Sequence, residues 1–332
     1  MNRLLIVVLA CGLSAPALGG SFEPDPSKLR LMSANALVLD ADAQRPIYTK
    51  AADEVTPIAS LTKLMTAMVV LDAGQPDDEL ISIGTEDFDY LKGSRSRLRM
   101  GTLLPRREMI RLALMSSENR AASALARHYP GGTPAFVAAM NAKAQSLEMA
   151  HTHYADPTGL SAQNVSTAND LARLVQAAAQ YPRVREFSTT PAHFVELQPG
   201  GQWMGFNNSN ALVKKQSWDI QLQKTGYIRE AGRCLVMLAT IASRPIVIVL
   251  LDSYGKYTRL GDAERVKHWL ETGEALAPTP AAGLRRYHGS FSPRQKAAVR
   301  IAFSTHPTRG GVYAVKYAQP KKSTKSPTKR RA

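Results

Sequence analysis

Cysteine is almost absent from this chain: it holds two, Cys11 and Cys234, in 332 residues. Cys11 falls in a removable leader, so the remaining protein keeps one thiol and forms no internal disulfide. After that leader no apolar run approaches the ~20 residues a membrane helix needs. Acidic residues are missing altogether from 276–332, where thirteen Lys and Arg occur. The net charge of +15 therefore sits in the tail, because the 29 basic and 27 acidic residues of 1–275 nearly cancel. Metal ligation has little support. His151 and His153 lack a third ligand at a zinc spacing, so no metal is expected.

The N-terminus reads as a secretory signal over 1–19. Arg3 supplies the positive start, Leu4 to Leu13 the short apolar run, and Ala17-Leu18-Gly19 the small-x-small cleavage site. A lipid anchor at Cys11 is disfavoured by Leu9 and by the shortness of the run before it. The expected organisation is thus a leader, a near-neutral domain over 25–276, and a basic tail over 277–332. The tail is rich in proline, its end from Pro320 onward reads as disordered, and Val312 to Tyr317 could form a strand. Its charge alone would suit nucleic acid. Export to the periplasm argues against that partner and for anionic envelope polymers or a membrane surface.

Within the domain, Ala34 to Asp40 and Pro46 to Lys50 read as a hairpin, and Glu79 to Ile83 as a short strand. Arg95, Arg97 and Arg99 alternate along Ser94 to Met100, as on a solvated strand edge or beside an anionic substrate's path. Helices are expected over Thr102 to Met115, from Ala121 onward, over Pro134 to Leu147, and through Ala179 from a Thr167–Asp170 cap. Cys234 to Ile241 and Pro245 to Leu251 are nearly continuous apolar runs, hence central strands covered on both sides. Lys256 to Glu271 reads as a closing helix.

The stretch from Thr56 to Leu71 carries the chemistry. It is apolar nearly all round, which marks a buried helix, with Thr56 and Pro57 as its cap and first turn and Gly74 and Pro76 as its stop. Between Glu54 and Asp72 the only charge is Lys63. Burying an unpaired ammonium is costly, and burial lowers a lysine's pKa until the free amine can act as a base. Ser60 lies three residues earlier on the same face. A hydroxyl beside a neutral amine is an activated nucleophile. The plainer alternative is a lysine that reaches solvent and a serine that caps the helix.

Ser117-Glu118-Asn119 falls at the junction of two helices, where Ser117 and Asn119 could equally be N-caps. Asp219 to Gln223 alternates as a strand and delivers Lys224-Thr225-Gly226-Tyr227 at its end, with Lys224 on the face of Ile220 and Leu222. Gly226 would let a substrate backbone approach.

Ser60-x-x-Lys63, Ser117-x-Asn119 and Lys224-Thr225-Gly226 are each weak alone but specific together. With Asp156-Pro157-Thr158-Gly159-Leu160 and Leu112 to Ala122, they make Leu31 to Leu276 resemble the low-molecular-mass penicillin-binding proteins, the D-alanyl-D-alanine peptidases. Within them the chain looks most like the soluble endopeptidase type. The resemblance implies an α/β (α+β) fold of the β-lactamase/transpeptidase kind: an antiparallel sheet packed between helices, with an all-helical subdomain. It implies Ser60 as nucleophile, Lys63 as base and Ser117 as proton relay. Asn119, Lys224, Thr225, Gly226 and Tyr227 would hold the peptidoglycan peptide, and the amides of Ser60 and Tyr227 would form an oxyanion hole. No cofactor is implied, and β-lactams would acylate Ser60. Glu118 stands where aspartate is more usual in that family and is not expected to do chemistry. A class A β-lactamase would need a glutamate after Ser117 to activate water, and none occurs between Glu148 and Glu186. A carboxypeptidase that trims pentapeptides is the nearer alternative, and a non-catalytic envelope-binding protein the more distant one.

Overall fold

The computed structural model describes residues 23–276. The leader and tail, including the strand expected near 312–317, lie outside the described residues. In chain order the elements are β1 (Ser33–Asp40), β2 (Arg45–Lys50), β3 (Thr56–Pro57), α1 (Lys63–Asp72), β4 (Leu80–Ser82), β5 (Leu103–Pro105), α2 (Arg106–Met115), α3 (Asn119–Arg127), α4 (Gly132–Ser146), β6 (Val165–Ser166), α5 (Ala168–Ala179), α6 (Pro182–Thr189), β7 (Ala192–Leu197), β8 (Gln202–Asn207), β9 (Asp219–Ile228), β10 (Gly232–Ile241), β11 (Arg244–Ser253) and α7 (Thr258–Thr272).

The two apolar runs become β10 and β11, turned tightly through Ala242 and Ser243, both in the left-handed region that such two-residue hairpin turns require. β11 is the middle of a five-stranded antiparallel sheet ordered β2-β1-β11-β10-β9. Alternate residues of its strands feed two cores. Val38, Leu235, Met237, Ile246 and Ile248 meet Val266, Trp269 and Leu270 of α7. Leu37, Val236, Val247 and Val249 face the larger core formed with α1 to α6. Helices α5 and α6 lie on this second face, and α2, α3 and α4 pack around α1 as a helical lobe. Burial on both faces explains why the β10 and β11 sequences do not alternate.

Helix α1 is the axis of the lobe. Leu64, Met65, Met68, Val69 and Val70 are all buried, a contribution on the order of 10 kcal/mol. That exceeds the ~5 kcal/mol cost of holding one lysine with its pKa shifted by a few units, which is how the helix accommodates Lys63 among them.

Several boundaries differ from the sequence reading. Thr56 and Pro57 are not the cap and first turn of α1. They form β3, paired with Ser166 and Val165, and a 3₁₀ turn over Ala59–Thr62 intervenes before the helix. Leu103–Pro105 pairs with β4 instead of starting α2. Among the described residues Ser94 to Met100 forms no strand. Arg97 instead lays its guanidinium 4.0 Å over the Phe206 ring, and Arg120 donates to the Leu98 carbonyl at 2.6 Å. The β7–β8 hairpin and α6 had no counterpart in the sequence reading.

Candidate active site

The Ser60 turn is built by neighbours from distant parts of the chain. The Asp156 carboxylate accepts from the amides of Thr158, Gly159 and Ser161 at 2.6, 2.8 and 2.8 Å. Asn164 braces the same loop, accepting from the Ala155 amide at 2.8 Å and donating to Thr62 Oγ1 at 2.9 Å. This rigid turn presses Gly159 onto the nucleophile turn: a Cβ there would lie 2.0 Å from the Ala59 carbonyl oxygen. From the other side Gly226 of β9 packs in, where a Cβ would lie 3.1 Å from the Ser60 nitrogen. A side chain at Gly226 would thus push on the nucleophile turn by a few tenths of an ångström, so the glycine serves the protein's own packing as well as any substrate approach. Ala59 is held in the left-handed region at φ 49°, a conformation that costs a non-glycine residue roughly 1–3 kcal/mol and persists only where the surroundings enforce it.

Lys63 occupies the centre. Its side chain is fully buried, and Nζ donates to Ser60 Oγ at 2.9 Å, Asn119 Oδ1 at 2.7 Å and the Thr158 carbonyl at 2.6 Å. Three acceptors match the three donors of an ammonium. Burial nevertheless pushes its pKa down to about 7, against the opposing pull of Asp156, Glu118 and Asp89. Once neutral, the amine keeps two N–H bonds, to Asn119 and Thr158, and turns its lone pair toward Ser60. That is the geometry of a base poised on a hydroxyl. The reading in which Lys63 reaches solvent does not hold.

The second motif lies between α2 and α3. Ser116 closes α2 through its hydroxyl, which donates to the Leu112 carbonyl at 2.8 Å. The N-cap of α3 is Glu118, whose carboxylate accepts from the Arg120 amide at 3.3 Å. Neither Ser117 nor Asn119 is used as the cap, so both side chains are free to face the cleft. Ser117 adopts φ 61°, a second strained non-glycine residue at this site. Asn119 reaches Lys63 with its oxygen and donates to Ser94 Oγ at 2.9 Å with its nitrogen. Burial raises the Glu118 carboxyl above its ordinary range, in keeping with a structural role.

The third motif is inside β9 and not at its end, because the strand continues to Ile228. A register shift opposite Leu238 and Ala239 places a bulge between Ile220 and Leu222. Leu222 faces the helical core and Ile220 the α7 side, so Lys224 shares the face of Leu222 alone. Lys224 is fully buried, and its Nζ donates to Ser117 Oγ at 2.9 Å and to the Thr225 carbonyl at 2.8 Å. Burial, then repulsion from Lys63 and Arg259, pushes its pKa well below the ordinary lysine value. Thr225 is buried with its hydroxyl 2.7 Å from that of Ser209. Tyr227 is exposed at the mouth beneath the Arg233 guanidinium, 4.5 Å from its ring centre. Arg259 donates to the Gly226 carbonyl at 2.9 Å.

The structure thus gathers Ser60, Lys63, Ser117, Asn119, Lys224, Thr225, Gly226 and Tyr227 around one cleft between the helical lobe and the sheet. Sequence reasoning missed the Thr158 carbonyl, Asn164, Ser94 and Ser209. The Asp156 turn was visible as a turn, but nothing local marks a carbonyl as the partner of a lysine 95 residues away.

The family model for D-alanyl-D-alanine carboxypeptidase matches residues 23–255. The chain is 50% identical over 286 residues to a D-alanyl-D-alanine endopeptidase of Pseudomonas aeruginosa, covering 85% of this chain and 92% of the relative. It is 47% identical over 276 residues to one of Escherichia coli, covering 83% and 87%. Among solved structures, the Streptomyces K15 DD-transpeptidase superposes with a TM-score of 0.68 at 27% identity, over 73% of this chain and 98% of that one. Penicillin-binding protein D2 of Listeria monocytogenes, solved in its ampicillin-bound form, superposes with a TM-score of 0.63 at 27% identity, over 73% and 98%. The fold, the match across the described domain and the two long relatives agree, and the chain belongs to the D-alanyl-D-alanine carboxypeptidase family of serine peptidases.

Proposed function

We propose that this serine DD-peptidase hydrolyses D-alanyl-diaminopimelyl crosslinks in peptidoglycan through an acyl-enzyme at Ser60. The observation that carries the reading is the buried Lys63 amine 2.9 Å from Ser60 Oγ. Lys63 takes the Ser60 proton as Oγ attacks the D-alanyl carbonyl. The amides of Ser60 and Tyr227 receive the oxyanion, an interaction commonly worth several kcal/mol. The close packing of Gly226 on the Ser60 amide supports that pairing. Collapse of the adduct expels the amine, which takes a proton from Ser117 while Ser117 takes in turn the proton held by Lys63, so that the Lys63 amine is free again. Water then attacks the ester with Lys63 again as base, releasing the D-alanyl carboxylate and restoring the serine.

Asn119 holds the peptide while fixing Lys63. Lys224 and Thr225 receive an anionic group of the substrate. Burial depresses the Lys224 pKa, and an arriving anion opposes that shift, since an opposite charge favours the protonated form. β-Lactams acylate Ser60 as substrate mimics, a reading supported by the ampicillin-bound relative.

The two long relatives named as endopeptidases favour crosslink cleavage. Carboxypeptidase action is the second reading, favoured by the family model and by relatives such as the Streptomyces K15 carboxypeptidase at 27% identity. Product analysis separates them. Splitting of a crosslinked dimer with little release of D-alanine from a free pentapeptide supports the first, and the reverse supports the second. A parent chain that cleaved neither substrate, with Ser60→Ala indistinguishable from it, would leave only an envelope-binding protein. Cleavage of the leader over 1–19 delivers the enzyme to the periplasm. Among the described residues no helix is long and apolar enough to cross a membrane. The basic tail over 277–332 engages anionic envelope polymers or a membrane surface, and retention on cell-wall sacculi that ignored salt would count against this.

A further inference from the structure

The Ser209 hydroxyl stands at the cleft in a position that the three motifs do not assign. Ser209 belongs to the link between β8 and a short 3₁₀ turn, Ala211–Lys214. The residues on either side of it are buried amides locked by the core. Asn208 donates to the Ser188 and Thr190 carbonyls, both at 2.9 Å, and accepts from Gln223 Nε2 at 2.9 Å. Asn210 is fully buried, and its side-chain oxygen accepts from the Leu212 amide at 3.1 Å. The Ser209 amide donates to the Met115 carbonyl at 2.8 Å, at the end of α2 just before the Ser117 turn. Ser209 itself is exposed. Its backbone is thus fixed from three directions while its side chain faces the open cleft.

Among the described residues its hydroxyl bonds one group, the Thr225 hydroxyl at 2.7 Å. Two hydroxyls so placed make one hydrogen bond, and which of them donates decides what the other can offer. Thr225 lies beside the buried Lys224 amine, where the anionic group of the substrate is received in the function proposed above. We infer that Ser209 is a positioning residue for substrate recognition: it donates to Thr225 Oγ1 and thereby directs the Thr225 proton at a carboxylate of the peptide. Donation into an oxygen strengthens the bond that the same hydroxyl makes onward. Without Ser209 the Thr225 hydroxyl is free to turn toward other acceptors, the adjacent main chain among them. The contribution falls on binding and not on bond breaking, because neither hydroxyl touches Ser60 or Lys63.

This inference rests on the DD-peptidase reading, so the test reads both. Acylation by a fluorescent penicillin, which carries a carboxylate, is measured on the full mature chain as separate binding and chemical constants. The variants are Ser209→Ala, Ser209→Thr, Thr225→Val and the Ser209→Ala/Thr225→Val pair. Loss of one hydrogen bond predicts about fivefold weaker binding in Ser209→Ala, with the chemical constant within twofold. It also predicts recovery in Ser209→Thr and no further loss when Ser209→Ala is added to Thr225→Val. Equal melting temperatures of parent and Ser209→Ala, expected for an exposed side chain, exclude a folding effect. Unchanged binding in Ser209→Ala, losses that add in the double variant, a loss confined to the chemical constant, or failure of Ser209→Thr to recover would each overturn the inference while leaving the peptidase reading intact. A parent chain with no label on Ser60 would overturn both.

Discussion

Gly159 lies against Ala59 so closely that a Cβ on it would fall 2.0 Å from the Ala59 carbonyl oxygen and 2.9 Å from the Ser60 nitrogen. Gly226 approaches the same turn from the sheet at 3.0 and 3.1 Å. The nucleophile is therefore clamped between two glycines, one on a loop of the helical side and one on the edge strand. Gly159 also has φ 80°, so alanine there adds backbone strain to a collision with main chain. Gly159→Ala should cost about 3 kcal/mol of stability and stop acylation of Ser60. Gly226→Ala needs a shift of only a few tenths of an ångström and should cost about 1 kcal/mol, while slowing acylation by displacing the Ser60 amide. Thermal melting with penicillin labelling of both variants checks the order. Equal effects at the two positions would refute the account of the clamp.

Ser117 provides a test of strain held at the site. Its φ of 61° is free of cost only to glycine. Ser117→Gly and Ser117→Ala both remove the hydroxyl that Lys224 bonds, so both should lose turnover. Ser117→Gly should nonetheless be more stable than Ser117→Ala by about 1 kcal/mol. Denaturant midpoints of the pair decide the point, and a more stable alanine variant would show that the backbone there is not strained.

Much of this was legible from sequence because it is written locally. The β1–β2 hairpin shows in two short strand-like runs, the β10 and β11 strands in their unbroken hydrophobicity, and the α5 start in Thr167, whose hydroxyl accepts from the Asp170 amide at 3.1 Å. The three motifs are likewise compact, and the structure brings all of them to one cleft. What stayed hidden depends on partners far along the chain. Thr56-Pro57 has the chemistry of a helix start, but pairing with Val165–Ser166 decides its conformation. The bulge between Ile220 and Leu222 leaves no local mark. The acceptors of Lys63 outside its own turn are Asn119, which a motif announces, and the Thr158 carbonyl, which no side chain can announce.

Burial of Lys63 predicts a pH dependence of definite sign. Its pKa in the folded chain is about 7, against an ordinary value of 10.5. Acylation requires the free amine, so its rate should fall about tenfold per pH unit below 7 and level off above it. Folding expels the proton between about pH 7 and 10.5, where the unfolded chain still binds it. The Lys63 contribution to stability must therefore rise with pH across that window and be flat below it. Lys224 is depressed in the same direction, so the observed step belongs to the two amines together. Stopped-flow acylation across pH 5–9 measures it. A rate independent of pH through 7 would mean that Lys63 is not the base.

Asn119→Asp turns that dependence into a sharper test. The asparagine oxygen sits 2.7 Å from Lys63 Nζ, and replacing the amide by a carboxylate changes the volume little. A buried anion at that distance favours the ammonium, and an opposite charge so close shifts a pKa by about 1–3 units. The Lys63 titration should move from about 7 toward 9. At pH 7 acylation should fall about tenfold or more, and much of the loss should return on raising the pH to 9, which no simple loss of a substrate contact would do. Asn119→Ala is the control. It removes the Lys63 acceptor and the bond to Ser94 without adding charge, so its acylation should be impaired at every pH, with a midpoint no higher than the parent's. If Asn119→Asp also kept the parent midpoint, the amine taking the Ser60 proton would have to be one other than Lys63.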